Sequence, residues 1–312
     1  MAAELSALKG LDFLSSADLN GAQTQALLTL AADIKAGRRN PRLDGKVLGL
    51  IFSKASTRTR VSFTVAMARL GGQTIDLNPS VSQVGRGEPI EDTARVLSRY
   101  LNAVAIRTFA QSDLQAYADA ASIPIINALT DLEHPCQALA DYLTMQEAFG
   151  SIEGLTMTYV GDGNNVAHSL LIAGALLGVN VRIGCPAGFY PLEQVVAQAK
   201  AIAAGRSEIA ICEDPTEAVR GAHAVYTDVW ASMGQEEEQS TRVQAFRGFC
   251  VDEALMSHAD AKAIVLHCLP AHRGEEISAE VMESSASRIF DQAENRLHAQ
   301  QALLATLLGA EG

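Results

Sequence analysis

Ser56, Thr57, Arg58, Thr59 and Arg60 stand together in FSKASTRTR, residues 52–60, directly after the apolar run KVLGLIF. Hydroxyls and guanidinium groups packed where a strand ends and a helix begins are suited to gripping an oxyanion. The first amides of a helix have no intrahelical partner and carry partial positive charge. Ser56, Thr57 and Thr59 add hydroxyl donors, and Arg58 adds a planar fork matched to phosphate oxygens. The plainer alternative is that Ser56 only caps the helix and the arginines are solvated. G-x-x-x-x-G-K-[ST] is absent, so a nucleoside triphosphate is not the natural guest.

Two more segments bring donors to the same kind of place. AIRT puts Arg107 at the end of another strand, and HPCQALAD puts His134 and Gln137 at the start of a helix. A residue before proline is pushed out of the α region, so His134 is expected just ahead of that helix. In an α/β sheet ligands bind beyond the carboxyl ends of the strands. Arginine, imidazole, amide and hydroxyl donors therefore converge on one strand-end surface, although each alone is more often structural.

The elements that must position these groups are readable as alternating short apolar runs and amphipathic stretches. Candidate strands are KVLGLIF (46–52), QTIDL (73–77), AVAIRT (103–108) and IPII (123–126). A second series is LTMTYV (155–160), NVRIG (180–184), EIAIC (208–212), HAVYTDV (223–229) and AKAIVLH (261–267). Alternation of this kind predicts parallel sheets covered on both faces. HPCQALADYLTMQEAFG breaks the series as one longer helix, with Pro135 suited to its first turn and Gly150 to its stop. The expected architecture is α/β, with two doubly wound parallel-sheet domains joined by that long helix. The expected bounds are a first domain over 1–135, a second over 136–290 with its bridging helix at 136–150, and a C-terminal amphipathic helix in 291–312 that is expected to return to the first domain.

Composition bounds the rest. A chain of 312 residues fits two domains, and a net charge of −12 disfavours nonspecific binding to nucleic acid or anionic membranes. Five scattered cysteines without CxxC fit reduced thiols rather than a disulfide framework. MAAELSALKGLDFLSSADL lacks the apolar core of a signal peptide, and no apolar run reaches the ~18 residues that span a bilayer. A cytoplasmic address is expected.

FSKASTRTR, HPCQALAD and HCLPAHRGEEI together resemble the aspartate/ornithine carbamoyltransferase family, over about residues 8 to 308. The resemblance in S-T-R-T-R and H-P-x-Q is specific for carbamoyl phosphate and leaves the second substrate open. DVWASMGQE (228–236) is similar to the ornithine-recognition signature D-x-x-x-S-M-G, with HCLP (267–270) as its companion. GDGNNVAHS (161–169) and SQVGRGEPIEDTARVLSRY (82–100) are also typical. The implied activity is carbamoyl-group transfer from carbamoyl phosphate to the δ-amine of L-ornithine, giving L-citrulline and phosphate, in arginine biosynthesis or catabolism.

The resemblance also implies roles. Ser56, Thr57, Arg58 and Thr59 hold the phosphate group with help from Arg107. Thr59, Arg107 and His134 donate to the carbonyl oxygen. Gln137 and the backbone of Cys268–Leu269 receive the carbamoyl NH2, and Arg296 also reaches carbamoyl phosphate. Gln83 lies in a loop matching one that enters a neighbouring subunit's site. Asn165, Asp228, Ser232 and Met233 bind ornithine, with the amides of Asn164–Asn165 near its carboxylate. Arg58, Arg107, His134 and Cys268 are the implied catalytic groups. Cys268 is set beside the δ-amine, and whether its thiolate acts as a base stays open. The stretch around 236–239 is expected to move as a lid, and Leu269–Pro270 to be a cis bond. The active site is expected in a cleft of a homotrimer or an assembly of trimers, with no cofactor or catalytic metal.

Three rival readings are available. VGDGNNV after a strand resembles the start of a dinucleotide-binding G-x-G-x-x-G, but Val166 replaces the third glycine and NVRIG ends without an acidic residue for a ribose. His134, Cys136, His267, Cys268 and His272 form suggestive pairs, but not with the spacing of CxxC or HExxH zinc sites. A noncatalytic protein of the same fold is expected to lose Arg58, His134 or Cys268, and all three are present. Within the enzyme class, relatives acting on putrescine or an acylated ornithine are the nearest competitors.

Overall fold

Short apolar runs pack into the centres of parallel sheets because both faces of a central strand are covered. The structure, a computed structural model, describes residues 2–54, 56–78, 87–231 and 239–310. Gln83, Ser232, Met233 and the expected lid residues 236–238 lie outside the described residues. Strands β1 (Val47–Phe52), β2 (Gln73–Leu77), β3 (Ala103–Arg107) and β4 (Ile125–Leu129) form a sheet in the order β2-β1-β3-β4, all parallel. Strands β5 (Thr156–Val160), β6 (Asn180–Gly184), β7 (Ile209–Cys212), β8 (Ala224–Thr227) and β9 (Ile264–His267) form a second parallel sheet, β7-β6-β5-β8-β9. Both sheets of the expected α/β architecture are therefore present.

The strand predicted at IPII is displaced, to Ile125–Leu129. Pro124 has no N–H for the ladder, so regular pairing begins after it. Asn127 interrupts the apolar run, yet it is buried in the strand and its amide donates to the Leu14 carbonyl at 2.8 Å. A buried polar side chain of this kind, anchored through its amide, hides a strand from a hydrophobicity pattern.

Residues 1–140 with 296–312 form one unit, and residues 141–295 form another. The chain changes unit after Ala140, inside the helix Pro135–Phe149, and again after Asn295, inside the helix Ile289–Leu307. In the first unit Leu48 and Leu50 of β1 are buried, each contributing roughly 1.5–3 kcal/mol of burial. The Gly10 amide donates to the Leu307 carbonyl at 2.8 Å, tying the C-terminal helix to the N-terminal segment. In the second unit Gln292 and Asn295 donate to Asp141 Oδ1 and Thr144 Oγ1, at 2.6 and 3.0 Å, so polar pairs replace apolar packing between two helix segments. No helix of the described residues is long and apolar enough to cross a membrane.

Each sheet reverses its winding direction once. The chain steps from β1 outward to β2, then back past β1 to β3; it likewise steps from β5 out to β6 and β7, then back to β8. Loops diverge at such a reversal and leave a crevice at the carboxyl ends of the two central strands. Phe52 is level with Arg107 across β1 and β3, while Val160 is level with Thr227 across β5 and β8. The residues just past these pairs are the ones the sequence marks out for chemistry.

Candidate functional sites at two strand-end crevices

In the first unit the helix Thr57–Arg69 begins beyond β1. Its N-cap Ser56 has an extended backbone but makes no side-chain capping bond, so the hydroxyl is not spent on the helix. Arg107 Nη1 instead donates to Ser56 Oγ at 3.4 Å. Thr59 is buried in the first turn, and its hydroxyl accepts from Arg296 Nη2 at 2.6 Å. Arg296 comes from the C-terminal helix, 237 residues away. Thr57 and Arg58 face solvent at the same helix start. Arg60 is engaged elsewhere. Its guanidinium lies 5.3 Å over the Phe52 ring and pairs with Asp76 at 3.1 Å.

His134 stands immediately before the helix Pro135–Phe149, and its carbonyl accepts the Gln137 and Ala138 amides at 3.0 and 3.2 Å. The preceding turn is fixed through buried Glu133, whose carboxylate accepts the Ser15 hydroxyl and, at 3.1 Å, the Ser16 amide. His134 and Gln137 are both buried. Burial, then the positive charges of Arg296 and Arg107, hold the His134 imidazole well below its ordinary pKa. A neutral imidazole beside two arginines can offer one N–H to an acceptor without itself being a cation.

Lys54 carries no role in the sequence reading, although it lies within FSKASTRTR. Its ammonium sits 4.1 Å from the centre of the Phe109 ring. Burial and then Arg107 lower its pKa, with Asp131 opposing them. Lys54 therefore adds a third basic side chain to the end of β1 and β3.

In the second unit the helix Asn165–Leu177 follows β5 and is capped. Asn164 Oδ1 accepts the Val166 and Ala167 amides at 2.9 and 3.2 Å. The Tyr159 hydroxyl donates to the same oxygen at 3.3 Å. Asn164 Nδ2 donates to Asp228 Oδ2 at 3.1 Å across the β5–β8 crevice. The Asn164 backbone amide is committed to the Asp162 carbonyl at 2.7 Å, which leaves the side chain, not this amide, directed at the crevice. Asn165 occupies the first helical position.

The second glycine of GDGNN serves packing. A Cβ on Gly163 would lie 2.1 Å from the Pro191 backbone nitrogen, so only glycine fits under the 189–191 loop. The Gly163 amide donates to the Phe189 carbonyl at 2.8 Å. That close approach accounts for the second glycine of the G-x-G without a dinucleotide.

Asp228 is buried past the end of β8. Its Oδ1 accepts the Val229 amide at 2.8 Å and the Cys268 thiol at 2.9 Å. Thr227 is level with His267 in the neighbouring strand, which sets Asp228 beside Cys268. Burial, then the negative charge of Asp228, push the Cys268 thiol well above the usual range. The group is held as a proton donor to a carboxylate, an arrangement opposed to a thiolate base. Leu269 has φ of +59°, a left-handed conformation that costs a leucine on the order of 1–3 kcal/mol. The bond to Pro270 is cis, in keeping with the sequence expectation.

Arg242 is a second residue that the sequence leaves unmarked. It is buried and donates to Asp162 Oδ2 at 2.8 Å and to the Trp230 carbonyl at 2.9 Å. It joins the residues on either side of the undescribed 232–238 segment to the GDGNN loop. No local pattern marks it, because its partners lie 80 and 12 positions away.

Among the described residues, Asp228, His267 and Cys268 bring ligand-type atoms within 4.8 Å, as do His272, Glu275 and Glu276. His267 Nδ1 already accepts the Leu269 amide at 2.8 Å, and Nε2 faces Glu276 Oε1 at 3.1 Å. The Cys268 thiol is likewise engaged, on Asp228, so these ligand-type atoms already have protein partners. Cys136, another member of the suggested metal pairs, is buried and donates to the Asn127 carbonyl at 3.4 Å.

Residues 11–147 match a family model described as the carbamoyl-P binding domain of aspartate/ornithine carbamoyltransferase, and residues 153–307 match its Asp/Orn binding domain. The chain is 71% identical to the ornithine carbamoyltransferase of Parasynechococcus marenigrum over 309 residues, covering 99% of this chain and 97% of that protein. It is 68% identical, with the same coverage, to that of Prochlorococcus marinus strain MIT 9313. Among solved structures it is similar to ornithine carbamoyltransferase from Pyrococcus furiosus, with a TM-score of 0.94 and 48% identity over 98% of this chain and 99% of that one. The Gloeobacter violaceus enzyme superimposes with a TM-score of 0.88 at 57% identity, covering 96% and 98%.

Proposed function

The chain belongs to the aspartate/ornithine carbamoyltransferase family, and from that premise we infer that it transfers the carbamoyl group of carbamoyl phosphate to the δ-amine of L-ornithine. The products are L-citrulline and phosphate. The observation that carries the reading is the uncapped helix start beyond β1, with Arg107 on Ser56 and Arg296 on Thr59. Orphan amides, two hydroxyls and two guanidinium groups suit a phosphate dianion.

In the reaction the neutral δ-amine attacks the carbamoyl carbon, a tetrahedral species forms, and phosphate departs. Negative charge grows on the carbonyl oxygen and on the leaving phosphate, so preorganised donors at both are the largest expected catalytic term. Ser56, Thr57, Arg58, Thr59 and Arg107 are assigned to the phosphate, with Lys54 as added positive charge. Thr59, Arg107 and neutral His134 are assigned to the carbonyl oxygen. Gln137 and the Cys268–Leu269 carbonyls take the carbamoyl NH2, and Arg296 supports carbamoyl phosphate. Gln83 is assigned to a neighbouring copy's site.

A free alkylamine has a pKa near 10.4 and is protonated at neutral pH. Asp228 is assigned to the α-ammonium of ornithine, with Asn165, Ser232 and Met233 completing its site. The Cys268 thiol, held protonated by burial and Asp228, neighbours the δ-amine as a polar contact rather than as its base. Holding both substrates in an attack geometry supplies much of the remaining acceleration.

The reading carries a homotrimer, or an assembly of trimers, and a cytoplasmic address with it. Five free cysteines support a reducing compartment. The deciding experiment incubates the protein with carbamoyl phosphate and, separately, ornithine, putrescine, N-acetylornithine and aspartate. Ornithine is expected to give citrulline at a rate far above the others. Preferred turnover of putrescine or acetylornithine overturns the choice of amine, and turnover of none overturns the reading. Light scattering of the purified protein checks the trimer.

A further inference from the structure

Glu276 lies wholly buried in HCLPAHRGEEI, eight residues beyond Cys268, and is absent from every role assigned above. Its Oε1 faces His267 Nε2 at 3.1 Å and accepts the His272 amide at 2.6 Å. His267, equally buried, accepts the Leu269 amide on Nδ1 at 2.8 Å. An acceptor Nδ1 places the imidazole proton on Nε2, where it is donated to Glu276. The His267 amide is meanwhile anchored on Gln292 Oε1 at 2.8 Å. One carboxylate and one imidazole thus hold both ends of the turn from Cys268 to His272. Within that turn Leu269 is left-handed, and the Cys268 thiol points at Asp228.

We propose that Glu276 is a positioning residue: through the tautomer and orientation of His267 it sets the Cys268–Leu269 backbone and thiol in the geometry that carbamoyl transfer uses. The proposal rests on the function inferred above. A left-handed leucine is not a conformation the chain adopts unaided, so something outside the turn must select it, and His267 Nδ1 is the acceptor that does so. Without Glu276 the Nε2 proton loses its buried acceptor, and the Leu269 amide alone is left to hold the tautomer. The other tautomer turns an N–H against the Leu269 N–H and releases the turn. A displacement of about 1 Å at such a turn is enough to cost on the order of a hundredfold in rate.

The test uses four full-length variants. Glu276→Met removes both acceptors and is expected to lower kcat about a hundredfold, while the affinity for inorganic phosphate, held by the other unit, stays within about twofold. Glu276→Gln keeps an acceptor oxygen and is expected to restore most of the rate. His267→Asn presents an oxygen where Nδ1 stood, whereas His267→Gln presents its amide where Nε2 stood. The first should keep the Leu269 bond and retain about tenfold more kcat than the second. Alkylation of Cys268, followed by peptide mass spectrometry, reads the turn without catalysis; it should speed up about tenfold in Glu276→Met and His267→Gln only, because the thiol leaves Asp228.

A folded Glu276→Met protein with wild-type kcat and alkylation rate overturns the proposal. Equal losses in His267→Asn and His267→Gln overturn it also, and decide the matter should Glu276→Met not fold. Failure of the wild-type protein to make citrulline overturns the inferred function instead, and the alkylation pattern still decides whether Glu276 holds the turn.

Discussion

Two helix starts occupy equivalent places in their sheets, one after β1 and one after β5, and they are finished in opposite ways. After β1 the cap side chain makes no capping bond, and the surrounding charges are Arg107, Arg296 and Lys54. After β5 Asn164 closes two of the orphan amides and turns its own amide on the buried carboxylate of Asp228. One topology thus yields a basic, uncapped helix start in the first unit and a buried carboxylate beside a capped one in the second, which the proposed function assigns to an anion and a cation. The reversal of winding supplies a crevice, while a few residues past the strand ends set its sign. Carbamoyl phosphate and ornithine call for that pair of signs.

The sharpest way to break the comparison is to remove the charge from the first crevice. Arg107→Met should lower kcat/KM for carbamoyl phosphate by about 10²–10³-fold, the loss expected for one preorganised donor at a developing oxyanion. Ornithine binding in the second unit should be little changed. An effect under tenfold would move the anion site away from the end of β3. Next in size, Asp228→Asn should lower kcat/KM for ornithine about a hundredfold, with phosphate affinity unaltered, because a charge-assisted contact becomes a neutral one. If the loss instead fell on carbamoyl phosphate, the assignment of the two crevices would be reversed.

The finished and unfinished caps give a crossed pair of smaller effects. Asn164→Ala should cost about 1 kcal/mol of stability in urea unfolding, the usual loss of a helix cap. Ser56→Ala should leave the unfolding midpoint unchanged, since no capping bond is lost, and should weaken phosphate binding about tenfold, in the range of a lost hydrogen bond to a charged group. Comparable destabilisation by both substitutions would erase the contrast between the two helix starts.

Much of this is legible in the residues alone. Apolar runs mark the central strands β1, β3, β5, β8 and β9 most clearly, because parallel strands buried on both faces read as continuous hydrophobic segments, whereas β2, QTIDL, is largely exposed. Pro135 alone places His134 ahead of its helix. What the sequence hides are contacts whose partners are remote: Arg296 on Thr59, Arg242 on Asp162, and Glu276 on His267 inside a loop with no periodicity. The fate of the two caps is hidden as well. Ser and Asn are both strong cap formers, and only the three-dimensional neighbours decide that Ser56 serves Arg107 while Asn164 serves its helix. The protonated state of Cys268 likewise depends on Asp228, 40 positions earlier, and on burial that spacing does not reveal.

The smallest expected effect concerns protons in the first crevice. His134 has a folded pKa well below about 6.5, through burial and then Arg296 and Arg107. In the unfolded chain the imidazole takes up its proton as pH falls through about 6.5; in the folded protein it does not. The unfolded state then binds more protons, so stability falls with falling pH below about 6.5. A single histidine of this kind removes on the order of 1 kcal/mol or less between pH 7.5 and 6.0. His134→Gln should therefore show a shallower decline in its urea midpoint over that interval than the wild type. The same reasoning keeps the imidazole neutral at working pH, so any acid limb of the rate due to His134 must lie below pH 6.5. A shared slope in the two proteins would mean that His134 charges freely when folded, and the first crevice would then tolerate one more cation beside Arg107, Arg296 and Lys54.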